Sequence, residues 1–217
     1  TIKAARVLEG ADVVVVPKQH AEKKSIVLEI ASRYLKPGIR LEEMVFPMVY
    51  NAEELEKMHT KHVESIRRML EESLKVAFLT LGDPSVYSTY MYIAQSISSM
   101  GYEVETVPGV TSFCAAACRM NIPLAEGNEM LTIVPAAYGC ERVDEVLGIS
   151  DNVVFMKVSR GYDKLVRKLR ENGRADSSYL VSRLGHEGEI VGENPESMLE
   201  KGVPYLSIVL SKRSKNR

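Results

Sequence analysis

The sequence has almost no net charge: 28 Lys and Arg stand against 29 Asp and Glu, a formal balance of -1. The domain-wide basic excess that accompanies nucleic-acid binding is therefore missing, and an anionic ligand has to be met by locally placed Arg and Lys. Long apolar runs are missing as well. The most apolar stretch near the start, residues 13–16, is four valines fenced by Asp12 and Pro17. A membrane span needs about 20 apolar residues, and the core of a secretory signal needs roughly 7 to 15. Cysteine is scarce: Cys114, Cys118 and Cys140 are an odd number in a chain large enough to bury its own core. A disulfide scaffold is not called for, and a reducing cytoplasm is expected. Neither G-x-G-x-x-G nor G-x-x-x-x-G-K-[ST] occurs, which weakens dinucleotide and P-loop readings.

What the chain does have is alternation. Short β-branched runs alternate with amphipathic stretches nearly end to end, the pattern of α/β architecture. In the first half the pattern predicts strands at 12–16, 41–46, 75–81 and 102–107, and helices at 1–9, 25–35, 52–74 and 86–100. The texture changes at Asn121-Ile122-Pro123, where proline ends the helix opening near Thr111. A domain boundary is expected there, giving domains of 1–121 and 122–217. The second half predicts strands at 130–135, 153–158, 179–184 and 205–211, helices at 141–149 and 162–171, and a short helix opened by Asn194-Pro195. Its sheet is expected to be mixed and the smaller of the two. The basic stretch 212–217 reads as a frayed, solvated end.

Two segments can carry chemistry. Leu79-Thr80-Leu81-Gly82-Asp83-Pro84-Ser85 runs from an apolar strand into a Gly-Asp-Pro turn, and such strand ends are where α/β sheets bind ligands. Val107-Pro108-Gly109-Val110-Thr111-Ser112 repeats that logic before the next helix, with Thr111 or Ser112 as cap. On form alone both segments read equally as plain capping turns; two neighbouring turns of this kind favour a shared crevice.

These residues resemble the tetrapyrrole methylase family, and the resemblance spans essentially the whole chain. Leu81-Gly82-Asp83-Pro84 is similar to the family's S-adenosylmethionine loop, and 107–112 to its Val-Pro-Gly-[Ile/Val]-Thr-[Ser/Ala] motif. The continuation Tyr87-Ser88-Thr89-Tyr90 and the stretch 113–117 most resemble the branch that methylates carbon 20 of precorrin-2 or of cobalt-factor II. The resemblance implies two α/β domains, mostly parallel in the first sheet and mixed in the second, with a cofactor cleft between them. It implies S-adenosylmethionine as methyl donor, a tetrapyrrole substrate in cobalamin biosynthesis and a homodimer. Leu81, Gly82, Asp83, Val86, Thr111, Ser112, Met156 and Gly185 match positions that border the cofactor. The family also opens with a strand and a Gly- and Pro-rich loop ahead of the position matched by Thr1, so an upstream segment is expected.

No catalytic side chain is singled out, because a precorrin-like macrocycle brings its own carbon nucleophile. Arg119, Arg160 and Arg183 are candidates for substrate carboxylates or, equally, for surface ion pairs. Tyr87, Tyr90 and Tyr92 suit stacking on a macrocycle or plain packing. His186 follows Gly185 and could orient substrate. His59 and His62 lie three apart on a helix with no third ligand nearby, so a solvated or interface edge is expected over a metal site. His20 lies in a polar loop. Cys114 and Cys118 read as small residues in a tight helix contact, not as metal ligands. No metal, nucleic acid or membrane is expected. The alternatives left open are a methylase of the same fold acting on another precorrin carbon, uroporphyrinogen, RNA or a modified histidine, and a non-catalytic binding module.

Overall fold

The computed structural model describes residues 1–20, 22, 24–46, 51–136 and 141–213. The chain divides into two units, Thr1–Val110 and Thr111–Arg217. In the first unit, β1 (Val13–Lys18) lies between β2 (Arg40–Val45) and β3 (Val76–Phe78), both parallel to it. A central parallel strand is covered on both faces, which explains the unbroken valine run. Val13 and Val15 meet Val63, Ile66 and Met69 of α3 (Ala52–Glu71) and Ile93 and Ile97 of α4 (Tyr90–Ser99). Val14 and Val16 meet Leu8 of α1 (Ile2–Gly10) and Ala31 of α2 (Ile26–Ala31). All four valines are 0–1% exposed, and burying each contributes about 1.5–3 kcal/mol. At the start of β1 the Asp12 carboxylate accepts the Lys75 amide at 2.8 Å while the Asp12 amide donates to the Lys75 carbonyl at 2.8 Å. At its end Lys18 pairs with Glu43 at 2.9 Å.

Several expectations change in this unit. The run 102–107 forms no strand, and β3 pairs only with β1 among the described residues. The Glu105 and Pro108 carbonyls instead accept side-chain hydroxyls, from Tyr90 and Thr1 respectively, each at 3.5 Å. The strand expected at 75–81 shortens to β3 for the same lack of a second neighbour. The helix expected from Val86 begins at Tyr90, because Tyr87 sits at φ 51°, outside helical geometry. His62 is not on a solvated edge: it is 7% exposed, its ring lies 4.5 Å from that of Phe46, and its Nδ1 has no hydrogen-bond partner among the described residues.

The second unit begins with α5 (Ser112–Met120), so the division falls ahead of this helix, where the sequence set it behind. The reason lies in what α5 touches. Arg119 pairs with Glu189 at 3.0 Å, and a Cβ on Gly192 would sit 3.6 Å from the Met120 sulfur. The sheet has the order β4 (Leu131–Pro135), β5 (Asn152–Met156), β8 (Ser207–Lys212), β6 (Ser178–Ser182), β7 (Ile190–Glu193). Among the described hydrogen-bonded strand pairs of this sheet only β4–β5 is parallel, so the sheet is mixed as expected. With five strands against three among the described residues it is the larger sheet, not the smaller, because β7 adds a fifth strand here while 102–107 adds none to the first. Alternate residues Val153, Phe155, Leu180 and Val209 bury against α6 (Val143–Ile149) and α7 (Tyr162–Glu171) through Val143, Leu147, Leu165 and Leu169.

A buried arginine locks the end of α6. Arg174 is 4% exposed and donates to the carbonyls of Leu147 (2.7 Å), Ser150 (2.6 Å) and Asp151 (2.9 Å). These include carbonyls that a helix C-terminus leaves without intrahelical partners. The expected frayed end is corrected in part: Lys212 belongs to β8 and donates to Pro123 O at 2.6 Å, and Arg213 donates to Gly148 O at 2.8 Å. Residues 214–217 lie outside the described residues, as does Cys140. Cys114 and Cys118 are exposed, while Phe113, Ala116 and Ala117 supply the buried face of α5, so the expected tight cysteine contact is not there.

Candidate functional site

In the first unit the two turns singled out in the sequence are tied together. The Asp83 carboxylate accepts the Ser85 amide at 2.9 Å and the Ser85 hydroxyl on Oδ1, and the Gly109 amide at 2.9 Å on Oδ2. The hydrogen bonds from Ser85 first, then from Gly109, hold this carboxyl below its ordinary pKa. Gly82 sits at φ 78°, a conformation that favours glycine. Gly109 is required for a different reason. A Cβ there would lie 2.0 Å from the Gly82 carbonyl oxygen and 2.9 Å from its carbon, so backbone meets backbone at this point. Pro84 is buried beneath the turn, while Leu81 and Val110 are exposed at 45% and 59%. Val86 is half-buried, its amide bonded to the Asp83 carbonyl at 3.2 Å.

The tyrosines after this turn separate. Tyr87 is exposed at its left-handed position. Tyr90 stands 5.6 Å from the Phe78 ring, and its hydroxyl shares a 3.0 Å hydrogen bond with Thr106 Oγ1. Tyr92 is 66% exposed.

In the second unit Thr111 occupies the N-cap of α5 with φ -65° and ψ 147°, yet its side chain makes no capping hydrogen bond. Its Oγ1 is buried with no partner among the described residues. A buried hydroxyl without a partner costs about 1–3 kcal/mol, so this one is held in place at a cost. Ser112 beside it is exposed.

Strand direction collects the remaining candidates. β5 and β6 both run antiparallel to β8, hence parallel to each other, and Met156 and Val181 both register with Ile208. The segments that follow Met156 and Ser182, which carry Arg160 and then Arg183, Gly185 and His186, therefore leave the sheet at the same end, with the two strand ends roughly 10 Å apart across β8. Both residues that leave these strands are cationic and left-handed, Lys157 at φ 58° and Arg183 at φ 51°. Strained non-glycine backbone of this kind clusters at functional sites. The His186 amide closes the second turn onto the Arg183 carbonyl at 2.9 Å. Arg119 is engaged with Glu189 and stands as an ion pair.

Sequence reasoning assigned no role to Ser85, to Lys157 or to Gly109 as a contact. Only Gly109 left a signal, as the glycine of a Pro-Gly turn facing a second glycine turn.

The two-unit α/β architecture has a family counterpart: residues 1–200 match the description "Tetrapyrrole (Corrin/Porphyrin) Methylases". The chain belongs to this family. Within it, the chain is 36% identical to a probable cobalt-precorrin-2 C(20)-methyltransferase of Methanocaldococcus jannaschii, over 99% of this chain and 90% of that protein. It is 28% identical to a cobalt-precorrin-2 C(20)-methyltransferase of Salmonella typhimurium, over 97% and 89%. Among solved structures it resembles a cobalt precorrin-4 methyltransferase, with TM-score 0.74 and 20% identity over 98% of this chain and 88% of that one. It also resembles a Thermus thermophilus uroporphyrin-III C-methyl transferase complexed with S-adenyl homocysteine, with TM-score 0.65 and 21% identity over 98% and 90%.

Proposed function

We propose that the protein is an S-adenosylmethionine-dependent C-methyltransferase that methylates the meso carbon at position 20 of precorrin-2, or of its cobalt-bearing counterpart cobalt-factor II, in cobalamin biosynthesis. The observation that carries this reading is the 36% identity over nearly the full chain to a relative named for that reaction. The protein's own residues suit the donor. The partnerless Thr111 hydroxyl and the backbone opened by Gly82 at φ 78° offer polar groups to a nucleoside-bearing ligand. Leu81, Gly82, Val86, Thr111, Ser112, Met156 and Gly185 would hold it. Bound there, S-adenosylmethionine supplies an electrophilic methyl group.

The chain's contribution is alignment. Holding donor and acceptor in line supplies about 7–11 kcal/mol of barrier reduction without a nucleophilic side chain. Arg160 and Arg183 meet the carboxylates of the macrocycle, Tyr87 and Tyr90 flank its faces, and His186 orients it. The turns after β5 and β6 suit this task, since strained backbone fixes where their side chains start. A homodimer in a reducing cytoplasm completes the reading; the exposed free thiols of Cys114 and Cys118 are in keeping with such a compartment.

The test is methyl transfer. Incubated with S-adenosylmethionine and a panel of precorrin-2, cobalt-factor II and uroporphyrinogen, the protein should add one methyl mass to one of the first two. Methylation of uroporphyrinogen alone would move the substrate assignment. Binding of donor with no mass gain on any of them would remove the enzyme reading.

A further inference from the structure

The family resemblance makes Asp83 a cofactor contact, yet its carboxylate is already in use. A carboxylate has about four acceptor positions, and three of these are taken by Ser85 N–H, Ser85 Oγ–H and Gly109 N–H. The bond to Gly109 spans 26 residues and falls where the Gly109 backbone presses on the Gly82 carbonyl. Without a bond across this approach, two backbone segments that touch so closely have nothing to set their separation. We propose that Asp83 is a positioning residue: its carboxylate ties the 82–85 turn to the amide of Gly109 and thereby fixes the spacing of the two turns, instead of binding a ligand itself. Glycine at 109 and aspartate at 83 are then one device, the first allowing the approach and the second holding it. The proposal rests on the reading of the 81–86 turn as the S-adenosylmethionine loop.

Asp83→Ala tests it, because it removes the acceptors of both turns at once. Neither the Ser85 amide nor the Gly109 amide then keeps its side-chain acceptor. Two readouts are needed: amide exchange at Gly109 by NMR, and S-adenosylhomocysteine affinity by calorimetry for native, Asp83→Ala, Gly109→Ala and the double variant. The Gly109 amide should exchange slowly in the native protein and at least about tenfold faster in Asp83→Ala. Each single variant should weaken affinity by roughly 10- to 100-fold without a matching fall in melting temperature. The double variant should match the weaker single within about twofold, since both act on one spacing.

Losses that multiply in the double variant would show a direct ligand contact and overturn the proposal, as would unchanged Gly109 exchange in Asp83→Ala. Ser85→Ala removes only the hydroxyl on Oδ1, so a loss of affinity as large as that of Asp83→Ala also overturns it. A native protein that binds no S-adenosylhomocysteine, with the Gly109 exchange behaving as expected, overturns the cofactor reading and leaves the tie standing.

Discussion

Replacing Thr111 by valine should stabilise the protein and weaken its hold on the methyl donor. Valine keeps the branched shape and accepts the extended backbone at φ -65° and ψ 147°. What it removes is the Oγ1 hydroxyl, buried without a partner among the described residues. An unsatisfied buried polar group costs about 1–3 kcal/mol, so folding should gain up to that amount. A capping threonine behaves in the opposite way, because losing its hydrogen bond costs about 0.5–2 kcal/mol. If the hydroxyl serves the cofactor, one neutral hydrogen bond worth about 0.5–1.5 kcal/mol disappears on binding, a loss of roughly 2- to 12-fold in affinity. Urea unfolding and calorimetry with S-adenosylhomocysteine read the two quantities on the same sample. A variant that is less stable than the native protein, with unchanged affinity, would show that Thr111 merely caps its helix.

Two further outcomes follow from groups away from the site. Arg174→Met keeps the aliphatic stem but leaves the Leu147 and Ser150 carbonyls without their donor, whereas Asp151 O retains the Arg213 amide at 2.7 Å. Two orphaned carbonyls should cost about 2–5 kcal/mol in urea unfolding, and an unchanged midpoint would refute the lock at the end of α6. Burial first, then Lys61 and His59, lowers the pKa of His62 below 6.5, so below pH 6.5 the unfolded chain binds the proton more readily than the folded one. The stability held above pH 6.5 should therefore fall as pH drops toward the lowered value, and His62→Phe should flatten that fall; parallel pH profiles for the two proteins would refute it.

Much of the fold was legible because its residues report local physics. The β1 valines, the glycines that stop helices and the Asn194-Pro195 cap each declare an element without help from distant residues. The misses at 102–107 and at His62 share one cause, that contact is a property of two segments. The run 102–107 has the alternation of a strand but no neighbour, and a short first sheet follows. His62 carries nothing in its own helix text to separate it from His59, because its burial comes from Phe46, a residue brought by the chain after β2. At the site, the composition of both turns was readable. The hydrogen bond between Asp83 and Gly109 was not, because the spacing of two glycine turns in sequence says nothing of how closely their backbones approach in space.

The valine run of β1 also poses a problem of alignment. A strand with alternating residue types announces its register, since a slip by one exposes its apolar side. In residues 13–16 a slip exchanges valine for valine, and burial alone scores both alignments nearly alike. The choice then falls to the polar ends: the two hydrogen bonds between Asp12 and Lys75, and the pairing of Lys18 with Glu43. These polar residues act as the index marks of an otherwise featureless ruler, and the errors that follow their loss would be mis-threaded chains as well as weaker ones.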